Sequence, residues 1–193
     1  MPKTFQPTYL PYSETNSFTK IFLDYVKGAD DLKQFYAHDV SLEGIKASIA
    51  QRKNFNTDRQ ILTEQLHAQY KNINYKDLVN ANIERLLQEN TVTVCTAHQP
   101  NIFTGHLYFI YKILHTIKLA DELSGQLPEY NFVPVYFMGS EDADLDELYN
   151  LGVAGKKYKW ERKQTGAVGR RKLDGKLTNF IEEIDGRLFV EQY

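Results

Sequence analysis

Two short segments of this 193-residue sequence concentrate the side chains that could do chemistry. The first reads TAHQPNIFTGH, residues 96–106, and it lies between a short apolar run and a long apolar segment. Backbone amides at the start of a helix, together with the positive end of its dipole, favour phosphate or carboxylate groups. We therefore interpret this loop as a candidate ligand pocket. Its candidate residues are His98, Gln99, Asn101, Thr104, Gly105 and His106.

The second segment, GSEDADLDE, covers residues 139–147 and is rich in carboxylates. One interpretation is structural: Ser140 caps a helix and the acids complement its dipole, each contributing about 0.3–1 kcal/mol. The acids are more numerous than capping requires. Glu141 and Asp142, nearest the preceding apolar run, are therefore candidates to bind an ammonium group, a sugar hydroxyl or a metal.

Two strands and one helix must position these loops. The β-branched run TVTVC predicts a buried strand near residues 92–96, and FVPVYFMGS predicts another over 132–139, with Pro134 near its beginning. Between them, an apolar segment predicts a largely buried helix that stops at Gly125. Strand, helix and strand in this order form a βαβ unit, so the core is α/β with a parallel sheet. The two loops should then leave one rim of that sheet and line a common cleft.

Residues 1–90 are predicted to form a helical N-terminal region. An apolar stripe over 17–26 predicts an amphipathic helix, and Ser41 opens the next, although Gly44 stands where a capping box has Glu or Gln. Thr57, with a glutamine three residues later, fits a capping box and opens another. One more helical pattern ends before residue 90.

After residue 155 the sequence becomes basic, KKYKWERKQTGAVGRRKL. Alternation of Tyr158 and Trp160 on one side, with Gly166 and Gly169 as turn residues, predicts a hairpin, and a helix is predicted over 174–189. The basic residues are Lys156, Lys157, Lys159, Arg162, Lys163, Arg170, Arg171 and Lys172. They could bind RNA or an anionic ligand, or they could form an ordinary solvated face. Arg170 and Arg171, beside Gly169, are the best candidates for a phosphate or carboxylate contact.

Composition excludes several classes of function. The formal charge of -2 gives no global field for non-specific nucleic-acid binding. The single Cys95 cannot form an intrachain disulfide, no secretory signal is present, and no apolar stretch reaches the length of a membrane span, so we expect a cytoplasmic protein. Neither a metal-ligand motif, a P-loop nor a dinucleotide fingerprint occurs. A GxSxG elbow is also absent, and Cys95 lies in a predicted buried strand.

The remaining histidines, His38, His67 and His115, lie in helical patterns and are interpreted as structural. Gly105-His106 at a helix start is similar to the glycine–histidine pair with which class I aminoacyl-tRNA synthetases hold ATP phosphates. Phe103 stands where those enzymes carry their first histidine. No cofactor is fixed by these residues, and a nucleotide, ATP or ADP, is the one that this similarity implies.

Three blocks together resemble the BshC family, the cysteine ligases of bacillithiol biosynthesis: AHQPNIFTGHLYFIYKILHTIKLADEL, VPVYFMGSEDADLDEL and GAVGRRKL. The resemblance implies a Rossmann-like core related to class I synthetases and a C-terminal coiled coil that makes the full-length protein a homodimer. It also implies ligation of cysteine to glucosaminyl-malate. It carries over His98, Gln99, Thr104, Gly105, Glu141 and Asp142 as pocket residues, and it assigns none of them a catalytic role. Many relatives have Gly at Ala97, Gly-Pro at Gly105-His106 and His at Ala143.

The expected organisation is a helical region over 1–90, the first half of a Rossmann-like core over 91–150, and the start of a connective insertion over 151–193. The last residues still carry recurring apolar positions, which favours a truncated chain that would be inactive alone. A complete small protein is the alternative. Two other functions stay open: a nucleotidyl transferase of synthetase type, and a binding module that uses the basic hairpin.

Overall fold

A computed structural model describes residues 8–74, 76–153, 155–160 and 165–191. The chain folds as two compact units, Met1–Asp58 and Arg59–Tyr193.

The first unit contains helix α1, Lys20–Val26, and helix α2, Leu42–Arg52. The predicted capping residue Ser41 accepts a hydrogen bond from the amide of Gly44 at 3.0 Å. Gly44 replaces the expected Glu or Gln because a Cβ there would fall 1.9 Å from the carbonyl oxygen of Asp39. Close packing against backbone therefore decides this position.

The apolar stripe of α1 forms a local aromatic cluster and stays largely exposed within its unit. Phe18 stacks on Phe22 with ring centroids 4.5 Å apart, and Tyr12 meets both rings edge-on. Ile21 is 65% exposed. Short 3-10 turns over Tyr12–Glu14 and Asp30–Phe35 flank this helix.

The second unit begins with helix α3, Arg59–Tyr70, and helix α4, Lys76–Arg85. The guanidinium of Arg59 donates to the carbonyl oxygens of Leu86 at 2.7 Å and Thr91 at 3.1 Å. It thereby joins α3 to the chain that leaves α4. The Thr57 capping box is not how α3 begins: the helix starts at Arg59, and the side chain of Gln60 donates to Glu64.

The predicted βαβ unit is confirmed. Strand β1, Thr91–His98, pairs in parallel with strand β2, Asn131–Met138, and helix α5, Leu107–Gln126, connects them and packs on both. The register runs from Thr91 opposite Asn131 to His98 opposite Met138. Both strands therefore end at the same rim.

Pro134 is the fourth residue of β2, so the expectation that it lies near the beginning of the strand is wrong. The amides of Asn131 and Gly139 donate to Asn90 and His98 on the β1 side. Amides alternate in direction along a strand, so the amides of odd-numbered residues point toward β1. Pro134 is an even-numbered position, where a backbone nitrogen points away from β1. The pairing with β1 thus loses no hydrogen bond at the proline.

Helix α5 is less buried than its composition suggests. Its buried residues are Thr116, Ala120 and Leu123, whereas Tyr111 is 64% and Leu114 55% exposed. A single helix on two strands covers only one of its own faces, so the expectation of a largely buried helix is wrong for the described residues. Gly125 lies inside the helix, and Cys95 is exposed, not buried as predicted.

A small hairpin follows, earlier in the chain than predicted. Strands β3, Asn150–Val153, and β4, Lys156–Lys159, are antiparallel, and Gly155 with φ +74° lies in the turn. The short helix α6, Leu145–Leu148, precedes them, and helix α7, Gly175–Glu191, comes after. These elements enclose a second core formed by Leu148, Tyr149, Tyr158, Trp160, Val168, Phe180 and Ile184.

Candidate functional site

The loops that follow β1 and β2 are joined at the carboxyl ends of the two strands. The amide of Gly139 donates to the carbonyl oxygen of His98 at 2.9 Å, which extends the parallel pairing by one step. Beyond it, the carboxamide of Gln99 donates to the carbonyl oxygen of Asp144 at 2.9 Å. Gln99 is 2% exposed. The expected meeting of the two loops at one rim is therefore present in the structure.

A third segment, residues 166–171, lies against the loop after β2, residues 139–147, which we call the acidic loop. The amide of Val168 donates to the carbonyl oxygen of Asp142 at 2.7 Å, and that of Gly169 donates to Ser140 at 2.8 Å. A Cβ on Gly169 would fall 2.6 Å from the Cβ of Ser140, so this contact requires glycine. The exposed Arg170 is the residue that follows this close approach. The sequence marked Gly169 as a turn residue and did not predict this juxtaposition.

The loop between β1 and α5 has an unusual backbone. Phe103 and Thr104 have φ values of +48° and +67°, and Gly105 follows with φ +64° and ψ −151°. A Cβ on Gly105 would also fall 2.7 Å from the Cβ of Asn101. Positive φ at two consecutive non-glycine residues is costly and is found most often at functional sites. Phe103 was not among the predicted site residues.

His98 is surrounded by aromatic rings. Its Nε2 lies 2.8 Å from the hydroxyl of Tyr108, and the two rings stack with centroids 5.3 Å apart. His106, the residue before α5, stacks on Tyr108 at 5.7 Å. The hydroxyl of Tyr136 donates to the carbonyl oxygen of His98 at 2.9 Å. Tyr108 and Tyr136 were both missed, because each was assigned only to an apolar segment.

The first turns of α5 lie near the end of β1. Lys112 donates from Nζ to the carbonyl oxygen of Ala97 at 2.5 Å. The side chain of His106 makes no capping hydrogen bond to the helix, so the amides of the first turn are not capped by it. This arrangement keeps positive charge and amide donors near the end of β1.

Two carboxylates of the acidic loop accept hydrogen bonds from backbone amides of the same loop. Oδ1 of Asp142 accepts from the amide of Ala143 at 2.7 Å, and Oδ1 of Asp144 accepts from Asp146 at 3.1 Å. The expectation that Ser140 caps a helix is wrong: α6 begins at Leu145, and the carbonyl of Ser140 is bonded to the third segment. Glu141 and Asp142 are exposed before the helix. The side chain of Glu147 lies outside the described residues.

The basic residues divide into structural and exposed groups. Arg171 donates to the hydroxyl of Tyr149 and to the carbonyl oxygen of Gly166, the latter at 2.7 Å, so it holds the third segment together. Lys156 lies 3.5 Å from Glu183 and 4.6 Å from the ring centre of Tyr158. Tyr158 and Trp160 are 5% and 3% exposed, which places both rings in the second core. Arg162 and Lys163 lie outside the described residues.

Comparison with known proteins identifies the domain. Residues 5–193 match the family model described as "Bacillithiol biosynthesis BshC, N-terminal Rossmann-like domain". The chain belongs to this family.

Curated relatives of this BshC domain include proteins named "Putative cysteine ligase BshC" from three bacteria. The one from Flavobacterium johnsoniae is 42% identical over 175 residues, which cover 90% of this chain and 33% of the relative. The relative from Flavobacterium psychrophilum is 42% identical, and the alignment covers 89% of this chain and 33% of the relative. The relative from Christiangramia forsetii is 39% identical, and the alignment covers 91% of this chain and 33% of the relative. The chain thus spans about a third of their length.

The remaining observations on the BshC domain concern metal ligands, membrane helices and two histidines of the helical region. Among the described residues, no group of three or more His, Cys, Asp or Glu side chains is arranged to hold a metal ion. No helix in the described ranges combines the length and apolarity that a membrane crossing demands. His38 is hydrogen-bonded to Gln51 at 2.9 Å and His67 to Glu84 at 2.7 Å, in keeping with structural roles.

Proposed function

We propose that this chain contributes the first part of the active site of a ligase that joins the carboxyl group of cysteine to the amine of glucosaminyl-malate. Family membership and the name of the curated relatives support the ligase class. Because the chain spans about a third of those relatives, the activity belongs to the whole protein. We place that protein in the cytoplasm and expect it to be a homodimer.

One observation carries the proposal: three loops from separate parts of the second unit are tied into one rim. Gln99 bonds the loop after β1 to the loop after β2, and Val168 and Gly169 bond the latter to the segment that carries Arg170. The loops and the strand end that they follow carry an imidazole, His98, two carboxylates, Glu141 and Asp142, and a guanidinium, Arg170. Such a set can orient an anionic and a cationic substrate group toward each other.

Amide formation needs one group that binds an anion and another that binds an amine, and basic and acidic residues can serve these two needs. The amine must meet an activated carboxyl carbon, so most of the rate gain comes from orientation and from stabilising developing charge. Arg170 and the first turn of α5 would bind carboxylate or phosphate groups. Glu141 and Asp142 would bind the amine or the sugar hydroxyls. His98 lies at the end of β1 where the loops converge.

A nucleotide would supply the activation of the cysteine carboxylate. The residues present fit a phosphate in two respects. Gly105 gives the backbone a turn that a side chain would obstruct, and the first-turn amides of α5 are not capped by the side chain of His106. ATP or ADP is thus our proposed nucleotide.

The test uses the full-length protein with cysteine, glucosaminyl-malate and ATP. His98→Ala and Asp142→Ala should each abolish the ligated product, measured by mass spectrometry. Matched controls are His115→Ala and Asp121→Ala, both exposed on α5, which should retain activity. Unchanged product formation in both site variants would defeat the proposal.

A further inference from the structure

His98 is fixed by contacts at both its backbone and its side chain. Its carbonyl oxygen accepts two hydrogen bonds, each 2.9 Å long, from the amide of Gly139 and the hydroxyl of Tyr136. Its ring lies nearly parallel to Tyr108, at an interplanar angle of 20°, and edge-on to Phe109 with centroids 5.6 Å apart. Such packing restricts rotation of the imidazole.

The aromatic contacts continue on both sides of His98. Phe109 meets Tyr136 edge-on at 5.5 Å, so the ring that packs against the imidazole is itself held by the tyrosine bound to the His98 carbonyl. Tyr108 also stacks on His106 at an interplanar angle of 16°. Tyr108 therefore contacts both His98, the last residue of β1, and His106, the residue before α5.

The direction of the bond between Tyr108 and His98 is tied to the tautomer of the imidazole. A phenol hydroxyl is a good donor, and an unprotonated imidazole nitrogen is a good acceptor. With the hydroxyl donating to Nε2 over 2.8 Å, the neutral ring carries its proton on Nδ1. The partner of one ring nitrogen thereby determines the protonation of the other.

We propose that Tyr108 is a positioning residue that fixes both the orientation and the tautomer of His98. Loss of its hydroxyl leaves the ring stacked but removes the hydrogen bond at Nε2 of His98. The consequence for catalysis rests on the proposed ligase function, whereas the tautomer itself does not.

Nitrogen NMR of the protein labelled with 15N at histidine tests the tautomer directly. Wild-type His98 should show Nε2 as the unprotonated nitrogen at a pH where the ring is neutral. Tyr108→Phe should shift the signals toward a mixture of tautomers, and Tyr108→Leu should do the same while also removing the stacked ring. Tyr111→Phe is the matched control, because Tyr111 is 64% exposed on the same helix.

A wild-type signal with the proton on Nε2, or an unchanged tautomer in Tyr108→Phe, would overturn the inference. Kinetics of the full-length protein separate it from the proposed function. Tyr108→Phe should lower kcat about 5- to 10-fold with little change in KM, the effect of one neutral hydrogen bond. If His98→Ala retains full activity while the tautomer responds to Tyr108, the ligase role of His98 fails and the positioning inference stands.

Discussion

The side chain of Gln99 donates a hydrogen bond to the carbonyl oxygen of Asp144 across 2.9 Å, from a position that is 2% exposed. This contact joins the loop after β1 to the loop after β2 beyond the last paired residues of the sheet. Polar groups buried to this degree are costly when their partner is removed. The relative placement of the two loops therefore depends on this carboxamide.

Replacement of Gln99 by leucine should lower the free energy of unfolding by about 1–3 kcal/mol, because the carbonyl of Asp144 loses its donor. Urea denaturation followed by circular dichroism measures the change. Gln126→Leu, at an exposed position, should alter stability by less than about 0.5 kcal/mol. Equal losses in the two variants would show that the buried bond contributes nothing.

Gly169→Ala should separate the third segment from the acidic loop. The added Cβ would lie 2.6 Å from the Cβ of Ser140, so one of the two segments must move, at a cost of about 1–3 kcal/mol. Gly175→Ala is the control: no atom lies within 4 Å of its Cβ, and alanine there should be neutral or stabilising by about 0.4–1 kcal/mol. Thermal unfolding of both variants measures the difference. A similar response to both substitutions would contradict the close approach.

The sequence predicted the βαβ unit because local signals suffice for it. A β-branched run, a long apolar helix and a second apolar run determine two parallel strands and their common rim. The burial of α5 could not be predicted in the same way, since composition does not show how many of a helix's faces find partners. The hairpin lies earlier in the chain than predicted because Gly155, not Gly166 or Gly169, lies in its turn.

The candidate site was predictable only in part, for a related reason. Residues with evident chemistry in a loop, such as His98 and Glu141, can be found by type and position. The hydroxyl groups of Tyr108 and Tyr136 contact His98, but both residues stand within apolar stretches of the sequence. Periodicity alone therefore classifies them as core residues. The contact of Gly169 with Ser140 joins residues far apart in sequence and needs the tertiary structure.

Ile184→Ala should destabilise the second core. Ile184 is 1% exposed on α7, and truncation of a buried isoleucine costs about 2–5 kcal/mol through lost burial and the cavity that remains. Ile181 lies on the same helix and is 44% exposed, so Ile181→Ala provides a control with the same change in side chain. Chemical denaturation should show a much smaller loss for that control. The opposite ranking would contradict the assigned face of α7.

Tyr136→Phe should change how stability depends on alkaline pH. Burial raises the pKa of the Tyr136 hydroxyl above its ordinary value. As pH rises through that ordinary value of about 10, the unfolded chain loses this proton before the folded chain does. The unfolded state is thereby favoured, and this part of the stability falls until the folded group also ionises.

At neutral pH the phenylalanine variant should be less stable by about 0.5–1.5 kcal/mol, because the hydrogen bond to the His98 carbonyl is lost. Phenylalanine cannot ionise, so only the wild type loses stability as the pH rises. The gap in the free energy of unfolding between wild type and variant should therefore narrow between about pH 8 and about pH 10.5. Urea unfolding at both pH values measures it. Tyr111→Phe removes an exposed hydroxyl and should leave the free energy of unfolding at about pH 8 close to that of the wild type. A constant gap for Tyr136→Phe would mean that burial does not disfavour ionisation of this tyrosine.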